Sequence, residues 1–207
     1  MDSGKIGFLK NRRSIREYTS RKVSERILET ILEAATWAPS AHNAQPWRFI
    51  VVKDSALKLK LAKTMANRWK KDLAKNGVSE KDLENLVKAS VERFTKAPIV
   101  IVPCLTMAEM HHYPDKRRQK IEFLMGVQSV AAAIENMLLA AHAMGLGACW
   151  FCAPLFCPET VRKVLKIPPN FEPQALITLG YPASRQEPPP RKLLREIVHL
   201  NGWSETK

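Results

Sequence analysis

Ala38-Pro39-Ser40-Ala41-His42-Asn43-Ala44-Gln45-Pro46-Trp47 is a polar loop of small side chains, bounded by prolines, that runs into the stretch Trp47-Arg48-Phe49-Ile50-Val51-Val52. Small residues let backbone approach a flat ligand closely, while Ser40, Asn43 and Gln45 offer polar contacts. The β-branched and aromatic stretch after the loop reads as a buried strand. One short helix upstream, Arg12-Arg13-Ser14-Ile15-Arg16 packs three guanidinium groups and a hydroxyl into five residues. Guanidinium groups hold phosphate through paired, planar hydrogen bonds, so this segment has the donors of a phosphate clamp.

Outward from these two segments, helices and strands alternate. Ser24 is a helix N-cap, and Ile27, Leu28, Ile31, Leu32 and Ala35 follow at helical spacing up to the break at Pro39. Ser55 opens a second helix through Leu61, Ala62 and Met65, ending near Gly77. Ser79-Glu80-Lys81-Asp82 is a capping-box variant ahead of Leu83, Leu86, Val87, Val91 and Phe94. Ile99 to Pro103 reads as a central strand, and His111 to Lys116 as a polar loop.

From about Lys120 to Met144 the chain predicts a long, nearly all-apolar helix with small faces at Ala131, Ala132, Ala133, Ala140 and Ala141. A helix apolar around most of its girth must be buried on most sides, which a small domain achieves most easily across a subunit interface. A homodimer is therefore expected. Gly145 ends this helix. Gly147 to Phe151 is a strand, Pro158 opens a short helix stopped by Pro168-Pro169, and Ala175 to Gly180 is a further strand. A proline-rich stretch and a basic tail close the chain. The class is mixed α and β, with no internal repeat and no linker to divide residues 1–207 into more than one domain.

Lys and Arg number 33 against 20 Asp and Glu, a net charge of +13. Charge of this size attracts polyanions, but it is spread over four clusters with no zinc-finger, RNA-recognition or basic-zipper spacing, so nucleic acid is not an expected partner. No uninterrupted apolar run has the length of a bilayer span and no signal-like stretch opens the chain, so a cytoplasmic protein without a membrane partner is expected. Cys149, Cys152 and Cys157 read C-x2-C-x4-C within an apolar run. Strand alternation points Cys149 and Cys152 to opposite faces, so they are read as small hydrophobes and no metal ligand is assigned.

The ordered series Arg12 to Arg16, Pro39 to Trp47, Gln128 to Met144, Gly145-Leu146-Gly147-Ala148-Cys149-Trp150, and Leu179-Gly180-Tyr181-Pro182 resembles the signature of the nitroreductase family. The resemblance implies an α+β fold: a central, mostly antiparallel sheet flanked by helices, with the long buried helix at a dimer interface. It implies FMN bound without a covalent link, with Arg12, Arg13, Ser14 and Arg16 holding the phosphate and ribityl chain. Arg191 would reach the same phosphate, with Lys192 as its substitute. Pro39, Ser40, Ala41 and Asn43 would line the ring from the other subunit, and backbone donors near Cys152 and Ala153 would face its redox-active nitrogen. Many relatives carry a glycine-containing pair there, so Cys152-Ala153 is a departure.

The implied chemistry is electron transfer from NADH or NADPH to a nitroaromatic, quinone, enone or flavin by a ping-pong route. No side-chain acid or base is obligatory in it, and no catalytic residue is named. A narrower likeness, through Trp69 to Leu73 and His112 to Arg118, is to the nitroreductase-like half of the bifunctional ligase that makes the deazaflavin coenzyme. It opens the alternative that this coenzyme or its precursor is the substrate. A non-catalytic nucleic-acid or cofactor-binding module is the third reading. His42 is read as a hydrogen-bonded loop residue, His111 and His112 as a solvated loop, and His142, Trp37, Trp47 and Trp150 as core.

Overall fold

The computed structural model describes residues 4–184 and 186–203. Four antiparallel strands make the central sheet in the order β1 (Trp47–Val52), β2 (Ile99–Thr106), β5 (Leu176–Gly180), β3 (Gly147–Phe151), with short β4 (Phe171–Pro173) pairing antiparallel to β2. The helices are α1 (Gly4–Asn11), α2 (Glu25–Thr36), α3 (Ser55–Lys75), α4 (Glu80–Thr95), α5 (Lys116–Ala143), α6 (Pro158–Leu165) and α7 (Leu194–Ile197).

Every residue of β2 is buried, because its alternate side chains enter two separate cores. Ile99, Ile101 and Leu105 meet Val130, Ile134, Met137 and Ala141 of α5 and Leu28, Ile31 and Ala35 of α2. Val100, Val102 and Cys104 meet Leu61, Ala62 and Met65 of α3, Phe94 of α4 and Val161 of α6. The sheet is thus covered by helices on both faces. This is the expected architecture, an antiparallel sheet flanked by helices.

The caps follow the sequence. Ser24 Oγ accepts from the Ile27 N–H at 3.4 Å, and Ser79 Oγ from the Asp82 N–H at 3.2 Å. Gly145, at φ 73°, ends α5 with its N–H donating to the His142 carbonyl at 3.1 Å. Such a left-handed end favours glycine.

Several expectations are corrected. β1 is an edge strand, buried at Trp47 and Val52 and partly open between, not a fully buried one. α5 starts earlier than its apolar stretch, because the Asp115 carboxylate accepts from the Arg118 N–H at 2.9 Å and caps the polar turn before it. α6 ends on left-handed Lys166 (φ 55°) before reaching Pro168. Trp37 is 80% exposed and so is no part of the core. α5 is long and apolar enough to cross a membrane by length and composition, but its inner face forms the core against the sheet. Its outer face leaves Ile121 and Leu124 about half exposed.

One close approach ties the amino-terminal segment to the sheet. A Cβ built on Gly147 would lie 2.5 Å from the Cβ of Ile15, an atom fixed to its backbone. We expect Gly147→Ala to destabilise the protein by about 1–3 kcal/mol, read as a lower urea midpoint at unchanged slope. An unchanged midpoint would show that the segment is not held this way.

Candidate functional site

The segment after α1 lies along the outer edge of β3. The Ile15 N–H donates to the Ala148 carbonyl at 3.0 Å, and Ser14 bridges Ala148 in parallel register. Ile15 is buried against Gly147. Tyr18 fastens the next turn: its hydroxyl donates to the Ile15 carbonyl at 2.6 Å and shares a 2.7 Å hydrogen bond with Thr178 Oγ1. Burial pushes the Tyr18 phenol well above its ordinary range, so it stays a donor.

Alternation along this extended segment puts Ser14 and Arg16 on the side away from Ile15. They face the Cys149 thiol, which burial pushes up in pKa while the Arg16 charge and a Ser14 hydrogen bond pull it down, with smaller pulls from Arg93 and Arg12. Arg12, Ser14, Arg16 and Arg93 of α4 therefore all bear on Cys149 of β3. Arg93 was not singled out in the sequence, where it is one more charge on an amphipathic helix. Cys152 and Ala153 lie just past the end of β3, at the entry to a 3-10 turn spanning Ala153–Phe156. The leading N–H groups of such a turn lack partners within it. Cys152 is four residues along from the Ser14–Ala148 bridge, or ~13 Å at strand rise.

Beside Ala153 opens a cavity of about 380 Å³, walled by Trp69, Phe94, Phe151 and Phe156 with Arg68 and Arg93 among its lining residues. Trp150 packs on the opposite face of the sheet from this cavity, and its indole N–H is buried without a partner.

Arg13 faces the other way. Its guanidinium donates to the carbonyls of Lys10 at 2.6 Å and Arg12 at 2.8 Å, closing the end of α1. With Arg12, Leu138, His142 and residues 182–184 and 186–188 it lines a cleft of about 820 Å³. His142 is not a core residue: it stacks on Phe8 at 4.9 Å and lines this cleft. Burial and then the charges of Arg12 and Arg13 hold its pKa below the ordinary value. Arg12 also pairs with Glu135 of α5 at 3.6 Å. Arg191 is exposed, three residues beyond the cleft's last wall residue, Pro188, and is not brought against the arginine segment.

The Pro39–Asn43 loop stands at the entry to β1, on the opposite edge of the sheet. Three strand spacings separate β1 from β3, ~14 Å, so one chain does not close the loop over the arginine edge. The loop backbone is unusual: His42, Asn43 and Gln45 have φ of 57°, 53° and 48°. Each left-handed residue other than glycine costs about 1–2 kcal/mol, asparagine least. Three anchors hold it. Ser40 Oγ accepts from the Gln45 N–H at 3.1 Å, Ser129 Oγ of α5 accepts from the Ala41 N–H at 3.1 Å, and His42 Nε2 lies 3.2 Å from Glu122 Oε1 of α5. Glu122 was missed, because it lies just after the charged start of α5 and its burial comes from the loop folding over it.

The four cysteines are all free. Burial pushes Cys104 to about 12 and raises Cys149 and Cys157, whereas Cys152 is exposed. Ellman's reagent should therefore titrate Cys152 alone in the folded protein and the other three only after unfolding. Fast reaction in a Cys152→Ser variant would contradict the burial.

The family model described as the nitroreductase family matches residues 9–181. A protein of Methanothermobacter thermautotrophicus assigned as an NADH dehydrogenase/NAD(P)H nitroreductase is 34% identical over 198 residues, covering 94% of this chain and 85% of that one. An NADH dehydrogenase of Thermus thermophilus is 32% identical over 197 residues, covering 90% and 91%. Among solved structures, an assigned nitroreductase of Desulfovibrio desulfuricans in complex with FMN superposes with a TM-score of 0.74 at 26% identity, covering 99% of this chain and all of that one. The arginine edge, the strained proline-bounded loop and the two-faced antiparallel sheet accordingly belong to a chain of the nitroreductase family.

Proposed function

We propose that this chain is an FMN-dependent oxidoreductase that passes electrons from NADH or NADPH to a small oxidised acceptor, working as a homodimer. The observation that carries the reading is the placement of two half-sites on opposite sheet edges. Arg12, Ser14 and Arg16 line the β3 edge, whereas the Pro39–Asn43 loop stands at β1. A second copy completes the site by laying its loop over the first copy's arginine edge. Exposed apolar surface is available for that contact at Trp37, beside the loop, and at Ile121 and Leu124 on the outer face of α5. The relative solved with FMN supports the cofactor assignment.

The residues present fit the cofactor. Two guanidinium groups and a hydroxyl on one side of an extended segment match a phosphate dianion. FMN held here supplies two-electron exchange between the nicotinamide and the acceptor. Arg12, Ser14 and Arg16 bind the phosphate. Arg13 contributes indirectly, by closing α1 and so fixing Arg12. Ala153, at the first turn position, offers a backbone N–H that favours negative charge at the ring's redox-active nitrogen. Ser40, Ala41 and Asn43 of the partner copy orient the ring.

The aromatic-walled cavity beside Ala153 admits flat acceptors such as nitroaromatics and quinones, with Arg93 drawing their oxygens inward. If this one cavity served donor and acceptor alike, they would have to bind in turn, a ping-pong order.

The protein as purified should be yellow and sediment as a dimer. Arg16→Ala, which removes a charge-assisted hydrogen bond worth about 1.5–3 kcal/mol, should weaken FMN retention about 10- to 150-fold in a flavin-fluorescence titration. Unchanged affinity would reject the phosphate assignment. Initial rates with NADH and a quinone should give parallel double-reciprocal lines, and intersecting lines would exclude the ping-pong order.

A further inference from the structure

Three side chains from three separate elements meet behind the strained loop: His42 of the α2–β1 connection, His111 of the β2–α5 connection, and Glu122 of α5. One ligand atom from each lies within 4.8 Å of the others. His42 Nε2 is 3.2 Å from Glu122 Oε1, and the rings of His42 and His111 stack with centroids 3.8 Å apart. Glu122 is only 3% exposed, and its second oxygen, Oε2, is buried with no hydrogen-bond partner. The His42 contact satisfies one carboxylate oxygen and leaves the other without a donor. An unsatisfied buried charged group is costly, and a ligand that supplies positive charge there removes the cost.

We propose that His42, His111 and Glu122 form a binding site for a divalent transition metal, with Zn2+ the ion best suited to it. Two imidazole nitrogens and a carboxylate oxygen are a donor set zinc accepts, with bonds of about 2.0–2.2 Å and a fourth position left to water. Ligand atoms around a tetrahedral ion of that size stand about 3.3–3.5 Å apart, as follows from those bond lengths. The His42–Glu122 distance already matches this spacing. His111 must leave the stack to join, and its backbone allows this: it is exposed on a loop, while the next turn is tied to α5 through the Tyr113 N–H donating to Gln119 Oε1 at 2.9 Å.

The ion cross-links the strained loop to α5 and to the β2–α5 connection. It thereby holds the left-handed conformations of His42 and Asn43, and with them the presentation of Ser40 and Ala41. The site stands on the geometry of the three side chains and is independent of the flavin assignment.

The test is zinc content. Tag-free flavin-loaded protein is dialysed against a zinc buffer, then against metal-free buffer, and its zinc is measured by plasma mass spectrometry. The expected result is about one zinc per chain in the wild type and in Cys152→Ser, which removes the exposed thiol as a competing ligand. His111→Ala, on an exposed loop that should tolerate the change, is expected to lose at least 90% of it, and Glu122→Gln likewise. Zinc retained by His111→Ala, zinc lost from Cys152→Ser, or a wild type that binds none would each overturn the proposal.

Discussion

The hydrogen bond from the Ile15 N–H to the Ala148 carbonyl decides where the side chains of the arginine segment go. β3 is an outer strand of the sheet, and an uncovered outer strand exposes a row of unpaired backbone groups. The segment after α1 covers that row instead. Gly147 makes the close approach possible, since any side chain there would strike Ile15. Once Ile15 is seated inward, alternation leaves Ser14 and Arg16 no option but the outward side. The cationic edge is thus a by-product of sheet pairing, and this explains how charged side chains gather beside a buried strand without being buried themselves.

α5 is the beam that holds the arginine edge and the proline-bounded loop in register. Glu122 reaches His42, Ser129 takes the Ala41 N–H, and Glu135 pairs with Arg12. These positions span 13 residues of one helix, ~20 Å. The inner side of the same helix is locked by Val130, Ile134 and Met137 against the sheet. A rigid helix packed on one face transmits position without flexing, so the arginine edge and the loop cannot drift relative to each other within a chain. In a symmetric pair of chains the same beam would set the geometry of both composite sites.

The sequence made the core elements legible because their signals are local. The capped helix at Ser24, the β-branched run at Ile99, and the left-handed glycine at Gly145 each carry their reason within a few residues. What stayed hidden depends on partners far along the chain. Trp37 reads as core by composition, yet it follows the end of α2 and faces outward. Arg13 reads as one of a uniform cluster, but the carbonyls that end α1 claim it. His142 sits in an apolar helix at the one level where α1 opens a cleft. Glu122 is the strongest case: its burial follows from the loop folding down on it, which no window of sequence around position 122 contains.

Charge balance bears on the anion site proposed at the arginine edge. Among the described residues, Arg12 has Glu135 and Arg13 has two carbonyls, but no carboxylate pairs with Arg16 or Arg93. Both charges pull the pKa of the Cys149 thiol down. Both side chains are exposed, so water and salt screen their positive charge, which still favours an anionic ligand over a cationic one. The phosphate dianion proposed beside Arg12, Ser14 and Arg16 would offset part of that charge. Because such a ligand binds the folded chain and not the unfolded one, occupancy and stability rise together. On the proposed reading, the strain in the loop and the unpaired charge at the arginine edge share one logic: each is a cost in the fold that a bound partner would relieve.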